Sequence, residues 1–358
     1  MQFCARIVHP SGDLNPEEAW ARDGLHRKGG FAMPLRLLVA LVSVIAAFAA
    51  PATVAQTKLR FAHTVPPSDT HHAAALRFAE LVGARTNGQL VIEVHPAGAL
   101  GNDPGVLQNL RAGVLEIGLG GNPFFTSFAP RLNALDLPYL FDDYAHVYRV
   151  VDGPVGEKLL GELEANQLKG LAFWEIGFRN LTNSVRPVRL PEDIKGLKIR
   201  TTPNPAHVSV FRALGAIPTP MPFTEVYLAL QTRAVDGQEN PVGLIYASKF
   251  HEVQKYMTLS RHAYTVSIVA MNLGRFNALT PEQRSVLVTA AREAAAYQRK
   301  LNRDSEGDAL AKIRQAGVEV VDAPDIARFR AAAGDGAMKD YVAKHGPELV
   351  EAIAKARQ

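Results

Sequence analysis

The sequence predicts an α/β fold built as two similar lobes. Three observations carry this. Strand and helix signals alternate over the first ~65 residues after position 57, the alternation begins again after residue 150, and one late helix is too long for a single small lobe.

Residues 58–64 alternate like a strand. Asp69 can cap a helix running through Ala73, Leu76, Phe78 and Leu81 to Gly88. Residues 89–95 alternate again, residues 104–112 fit a helix stopped by Gly113, and residues 115–119 form a short apolar strand. Parallel pairing of such units places ligands beyond the carboxyl ends of the strands. Residues 154–167 read as a helix, 170–176 and 197–201 as strands, 205–214 and 223–232 as helices, and 265–273 as an apolar strand. Thr280, Pro281, Glu282 and Gln283 form a capping box with proline at the first helical position. No glycine or proline follows until Gly307, so the helix should be about 40 Å long and able to brace both lobes. The remainder, from Pro324, reads as short helices. The expected division is lobe I at 56–177 plus 265–305, and lobe II at 178–264 plus 306–358.

The chain has 358 residues, 47% hydrophobic and 21% charged, enough for a sizeable core in about two domains. A net charge of +4, dispersed along the chain, gives no nucleic-acid signal. Met33, Pro34, Leu35 and Arg36 precede an apolar run ending near Ala50 and a small-residue exit at Thr53, Val54 and Ala55. This describes a secretory signal peptide over 33–55, cleaved after Ala55. Residues 1–32 fit no export signal and are expected to derive from a misassigned start at Met1 rather than Met33. Cleavage would remove Cys4, the only cysteine, and with it any disulfide or cysteine-linked lipid. A soluble periplasmic product follows.

Several clusters admit a modest explanation. His63, Asp69, His71 and His72 are the densest set of possible metal ligands. His71 and His72 diverge by ~100° on a helix, so a solvated helix start is the simpler reading, with no metal. Gly118, Gly120 and Gly121 lack the spacing and the immediate helix of a dinucleotide loop. No serine sits in a nucleophile elbow, and Glu225 and Glu239 have no adjacent histidine, so neither a catalytic site nor a cofactor is expected. Arg179 and Arg200 are more informative. Both lie at strand ends, and a guanidinium fork matches a carboxylate bidentately; a surface position or a structural ion pair is the alternative for each. Phe223, at a helix start, could wall a pocket or pack in the core. Asp236 and Gly237 read as a turn leading to a polar tip with Asn240, and Asn122 and His63 could project into a cleft.

The segment GLKIRTTPNPAHVSVFRALGAIPTPMPFTEVYLALQTRAVDGQENP, residues 196–241, resembles the solute receptors of the tripartite ATP-independent periplasmic (TRAP) transporters. So do LRFAHTVPPSDTHHAAALRFAELV, LGNDPGVLQNLRAGVLEIGL and LPYLFDDYAHVYRVVDGPVGEKLL, and the similarity extends over essentially all of the chain after the leader. The resemblance implies a two-lobed, type II-like periplasmic binding protein with an interlobe cleft and a long bridging helix. It implies a monocarboxylate or dicarboxylate ligand, with a C4-dicarboxylate the first guess and aromatic or hydroxy acids left open, and a sodium-driven membrane permease of small and large subunits. It implies that Arg200 of the KIR segment binds the ligand carboxylate, that Arg179 is a second anchor, and that Asn240 and Phe223 line the cleft. His63, Thr64 and Asn122 correspond to first-lobe positions that vary with substrate. The expected protein is a monomeric receptor, not an enzyme. A periplasmic enzyme acting on an organic acid and an ABC-type receptor are the competing classes.

Overall fold

A computed structural model describes residues 56–357. The expected upstream segment and signal peptide lie outside the described residues. Among those described, no helix is long and apolar enough to cross a membrane.

Two sheets organise the fold. The first contains β1 (Thr57–Ala62), β2 (Leu90–His95), β3 (Ile117–Gly121), β4 (Leu168–Phe178) and β10 (Tyr264–Asn272), in the order β2-β1-β3-β10-β4. The second contains β5 (Asn180–Asn183), β6 (Lys198–Thr201), β7 (Ile217–Pro220), β8 (Gly237–Asn240), β9 (Tyr256–Thr258) and β11 (Glu319–Val321), in the order β11-β9-β5-β8-β6-β7. β1 pairs parallel with β2 and β3, as the strand–helix–strand spacing predicts. β10 inserts antiparallel between β3 and β4 and is buried along its whole length.

The chain passes between the sheets where the halves meet. Only Arg179 separates β4 from β5, and Gly177 just before it has φ +122°, a conformation that favours glycine. The return path runs from β9 to β10, and the two passages are tied together by the Arg179 N–H donating to Ala263 O at 2.8 Å.

Helix Pro281–Gln315 is the third connection. Its capping box forms as the sequence predicts: Gln283 N donates to Thr280 Oγ1, and Thr280 N donates to Gln283 Oε1. Leu287, Ala290, Ala291, Ala294 and Ala295 pack into the first-sheet core with Phe61, Phe78 and Trp174. The small alanines allow close approach, and Trp174 Nε1 donates to Ala291 O at 2.9 Å. Farther along, Ala309 and Ile313 join a second-sheet cluster with Val226 and Met257. The helix does not stop at Gly307. It runs 35 residues, about 52 Å. The ~1 kcal/mol that a helical glycine costs is outweighed by the burial of Ala309 and Ile313.

Two further differences from the sequence reading matter. The last helix, Glu348–Lys355, packs against Pro154–Glu162, and His146 Nε2 lies 2.8 Å from Ile353 O. The terminal segment expected in lobe II therefore ends against elements expected in lobe I, because Leu349 and Ile353 complete that core. The segment read as a turn and polar tip is β8, a fully buried strand between β5 and β6. Its polar side chains are all bonded within the fold. A Cβ at Gly237 would lie 2.1 Å from Thr182 O, so only glycine allows this pairing.

Candidate ligand-binding site

A cavity lies between the sheets, enclosing about 520 Å³ of unfilled space including its open mouth. Six of the seven residues proposed from sequence line it: His63, Thr64, Arg179, Arg200, Phe223 and Asn240.

The first-sheet wall begins where β1 ends. Thr64 Oγ1 donates to Asp103 Oδ1 at 2.8 Å. Asp103 opens helix Asp103–Arg111, and its other oxygen accepts from Phe223 N at 3.1 Å, joining the two walls. Burial raises the Asp103 carboxyl above its usual range, against the opposing bonds from Thr64 and Phe223. His63 Nε2 lies 3.1 Å from His72 Nδ1. Burial, followed by the neighbouring His71 and His72, pushes His63 down to about 4, so it is neutral at neutral pH.

Asp69 caps helix Thr70–Arg85 by accepting from His71 N, and its Oδ1 also lies 2.6 Å from His71 Nδ1. His71 Nε2 is 2.9 Å from Ser267 Oγ on β10. His71 is therefore buried rather than solvated, because its helix start packs onto the sheet. Gly118 is glycine for packing reasons: a Cβ there would lie 2.3 Å from Leu110 Cδ1.

The second-sheet wall carries both arginines, each about 1% exposed. They differ in their partners. Arg179 donates through Nε and Nη2 to the Glu239 carboxylate, and through Nη2 to Asn240 Oδ1 at 3.1 Å. Glu239 is fully buried on β8, and His262 Nε2 lies 3.1 Å from its Oε2. Burial would raise this carboxyl, but the Arg179 charge and the His262 hydrogen bond hold it well below the usual range. Arg200, on β6, donates through Nε and Nη2 to Met221 O at 3.2 and 2.7 Å. Among the described residues it forms no ion pair, and its Nη1 bonds to no protein atom. Burial pushes it down to about 10, leaving it charged at neutral pH.

Asn122 is the exception. It does not line the cavity. Its Nδ2 donates to Leu132 O at 2.9 Å and to Asp136 Oδ2 at 2.6 Å. The chain turns into helix Asn122–Phe125 directly after β3, which directs this side chain into the interior. Asp136 also accepts from Asn204 at 3.0 Å and Thr265 at 3.1 Å, and burial pushes its carboxyl up to about 7.

Sequence reasoning missed Asp103, Ser267 and the role of Glu239. Asp103 looks like an ordinary helix-start acid. Glu239 becomes the partner of Arg179 only through the pairing of β5 with β8, which sets Asn180 opposite Asn240.

Comparison with known proteins agrees with this architecture. The family model described as bacterial extracellular solute-binding protein, family 7, matches residues 61–343. The chain is 39% identical over 314 residues to the 2,3-diketo-L-gulonate-binding periplasmic protein YiaO of Escherichia coli, covering 87% of this chain and 95% of the relative. It is 35% identical over 289 residues to the C4-dicarboxylate-binding periplasmic protein DctP of Rhodobacter capsulatus, covering 79% and 86%. Among solved structures, a TRAP periplasmic solute-binding protein of a Polaromonas species bound to D-erythronate superposes with a TM-score of 0.82 at 33% identity, covering 85% of this chain and all of that one. The chain belongs to the family 7 bacterial extracellular solute-binding proteins, the receptors of TRAP transport.

Proposed function

We propose that this protein captures a small organic acid in the periplasm and delivers it to a TRAP permease of small and large subunits. The observation that carries this reading is Arg200. It is a buried, charged guanidinium facing a cavity, with no carboxylate partner and one free donor edge among the described residues. Such a charge is costly to leave unpaired, and a ligand carboxylate removes the cost through charge-assisted hydrogen bonds. The named ligands of the relatives, a diketogulonate, C4-dicarboxylates and D-erythronate, are acids of this kind.

Capture works by closure. The ligand's carboxylate docks on the second-sheet wall, its remainder contacts the first-sheet wall, and these contacts stabilise the closed arrangement. The lobes hinge where β4 passes into β5 and β9 into β10, and the long helix limits the motion. The lobe division is the one stated from sequence, with the last helix reassigned to lobe I. Residues 33–55 direct export and are then removed, and the mature protein is a soluble monomer without catalytic activity.

Isothermal titration calorimetry of the mature protein with a panel of small organic acids tests this. At least one acid should bind with one-to-one stoichiometry, be recovered unchanged, and lose its affinity in Arg200→Ala. Wild-type affinity in that variant would refute the role of Arg200, and turnover of the acid would indicate an enzyme.

A further inference from the structure

Three side chains of the first-sheet wall, Thr64, Asp103 and Ser267, present hydrogen-bond acceptors to the cavity. Thr64 has one hydroxyl proton, and it is committed to Asp103 Oδ1. Towards the cavity Thr64 can therefore offer only lone pairs. Asp103 is itself an acceptor, with Oδ1 held by Thr64 and Oδ2 by Phe223 N.

Ser267 reaches the same condition by another route. The Asp69 carboxyl is held below its usual range against its burial, and its Oδ1 accepts from His71 N and lies 2.6 Å from His71 Nδ1. An ionised carboxylate only accepts, so His71 Nδ1 carries the proton in that contact. With the ring proton on Nδ1, Nε2 is left to accept the Ser267 proton across 2.9 Å. Ser267 is left with lone pairs towards the cavity.

Among the described residues of the opposite wall, Arg179 is bound to Glu239 while Arg200 has no carboxylate partner and is free for a ligand.

We propose that the preferred ligand is a hydroxylated monocarboxylate, with its carboxylate on Arg200 and its hydroxyls donating to Thr64, Asp103 and Ser267. This rests on the reading of Arg200 as the carboxylate anchor and narrows it. A dicarboxylate would bring a second set of acceptors against a wall that already accepts, with no free cation there to offset the charge. A site built to hydrogen-bond hydroxyls rejects analogues that lack them.

Two matched pairs of acids test the proposal by calorimetry on the mature protein. D-erythronate and succinate share four carbons, and D-galactonate and galactarate share six. In whichever pair fits, the monoacid should bind at least tenfold more tightly than its diacid partner. Ser267→Ala and Thr64→Val should each weaken the monoacid about tenfold and narrow the gap to the diacid. Melting temperatures without ligand show whether each variant is folded, and Ser267→Ala keeps the test open should Thr64→Val not fold. A diacid binding as tightly as its monoacid partner overturns the proposal, as does a gap unmoved in the folded variants. If no acid of either pair binds, the proposal fails while the anchor reading stands on the wider panel; binding that ignores Arg200→Ala overturns the anchor reading itself.

Discussion

Arg179 and Arg200 stand on the same wall, equally buried and both in the field of Glu239, yet they differ in the partners they bond directly. Arg179 lies at the crossing between the sheets and is held by the buried Glu239. Arg200 lies on β6 and, among the described residues, bonds only to the carbonyl of Met221. A buried ion pair broken on one side is strongly destabilising, so the Arg179 region holds the fold together at its hinge. A buried cation with only neutral partners attracts an anion from outside. The difference shows that a strand-end arginine identifies an anion site only once its carboxylate partners have been located. The two carboxylates nearby repeat the contrast: Glu239 has its arginine, whereas Asp136 is surrounded by neutral donors from Asn122, Asn204 and Thr265.

This contrast can be broken in several ways. The largest effect should come from Arg200→Ala, which should weaken acid binding by about a thousandfold, or about 4 kcal/mol, without unfolding the protein. Arg200→Lys should recover only part of this, because the planar fork is lost. Calorimetry measures both. Glu239→Ala should act on stability, lowering it by about 3 kcal/mol in urea denaturation, because it leaves Arg179 buried without its partner. Glu239→Gln sharpens the comparison. It keeps most of the hydrogen bonds, frees the Arg179 charge, and should raise the affinity for succinate relative to D-erythronate.

Asp136 gives the next effect, with a definite sign. Its ordinary value is 3.8, and in the fold it stands at about 7. Between these values the native state holds a proton that the unfolded chain has released. The stability it contributes is therefore complete below about pH 4 and lost as pH rises through 7. At about 1.4 kcal/mol per pH unit, the stability difference between wild type and Asp136→Asn should fall by roughly 2 kcal/mol from about pH 5 to 7. A flat difference would show that Asp136 is not held protonated. The smallest effect belongs to Asn122→Ala, which removes a buried donor. It should cost about 1 kcal/mol in stability and leave acid affinity unchanged.

The strands and helices of the first lobe were legible because apolar periodicity and caps coincide there: Asp69 and Thr280 cap the helices they were read to cap. The second sheet was harder to see. β5 and β8, with sequences NLTN and GQEN, are polar, and their burial is satisfied by partners distant in sequence. No periodicity rule finds such strands. The same limit hid the distinction between the two arginines. Spacing placed Arg179 and Arg200 at strand ends, while strand pairing gave one of them Glu239. Asn122 was misread because a strand end normally faces the cleft, and an immediate helix turned it inward.

The most direct measurement is a crystal structure of the mature protein with a bound acid selected by calorimetry. The carboxylate should lie within hydrogen-bonding distance of Arg200 Nη1, with the Arg179–Glu239 pair intact. A carboxylate seated on the His63 and Thr64 side, or on Arg179 with Glu239 displaced, would contradict the account.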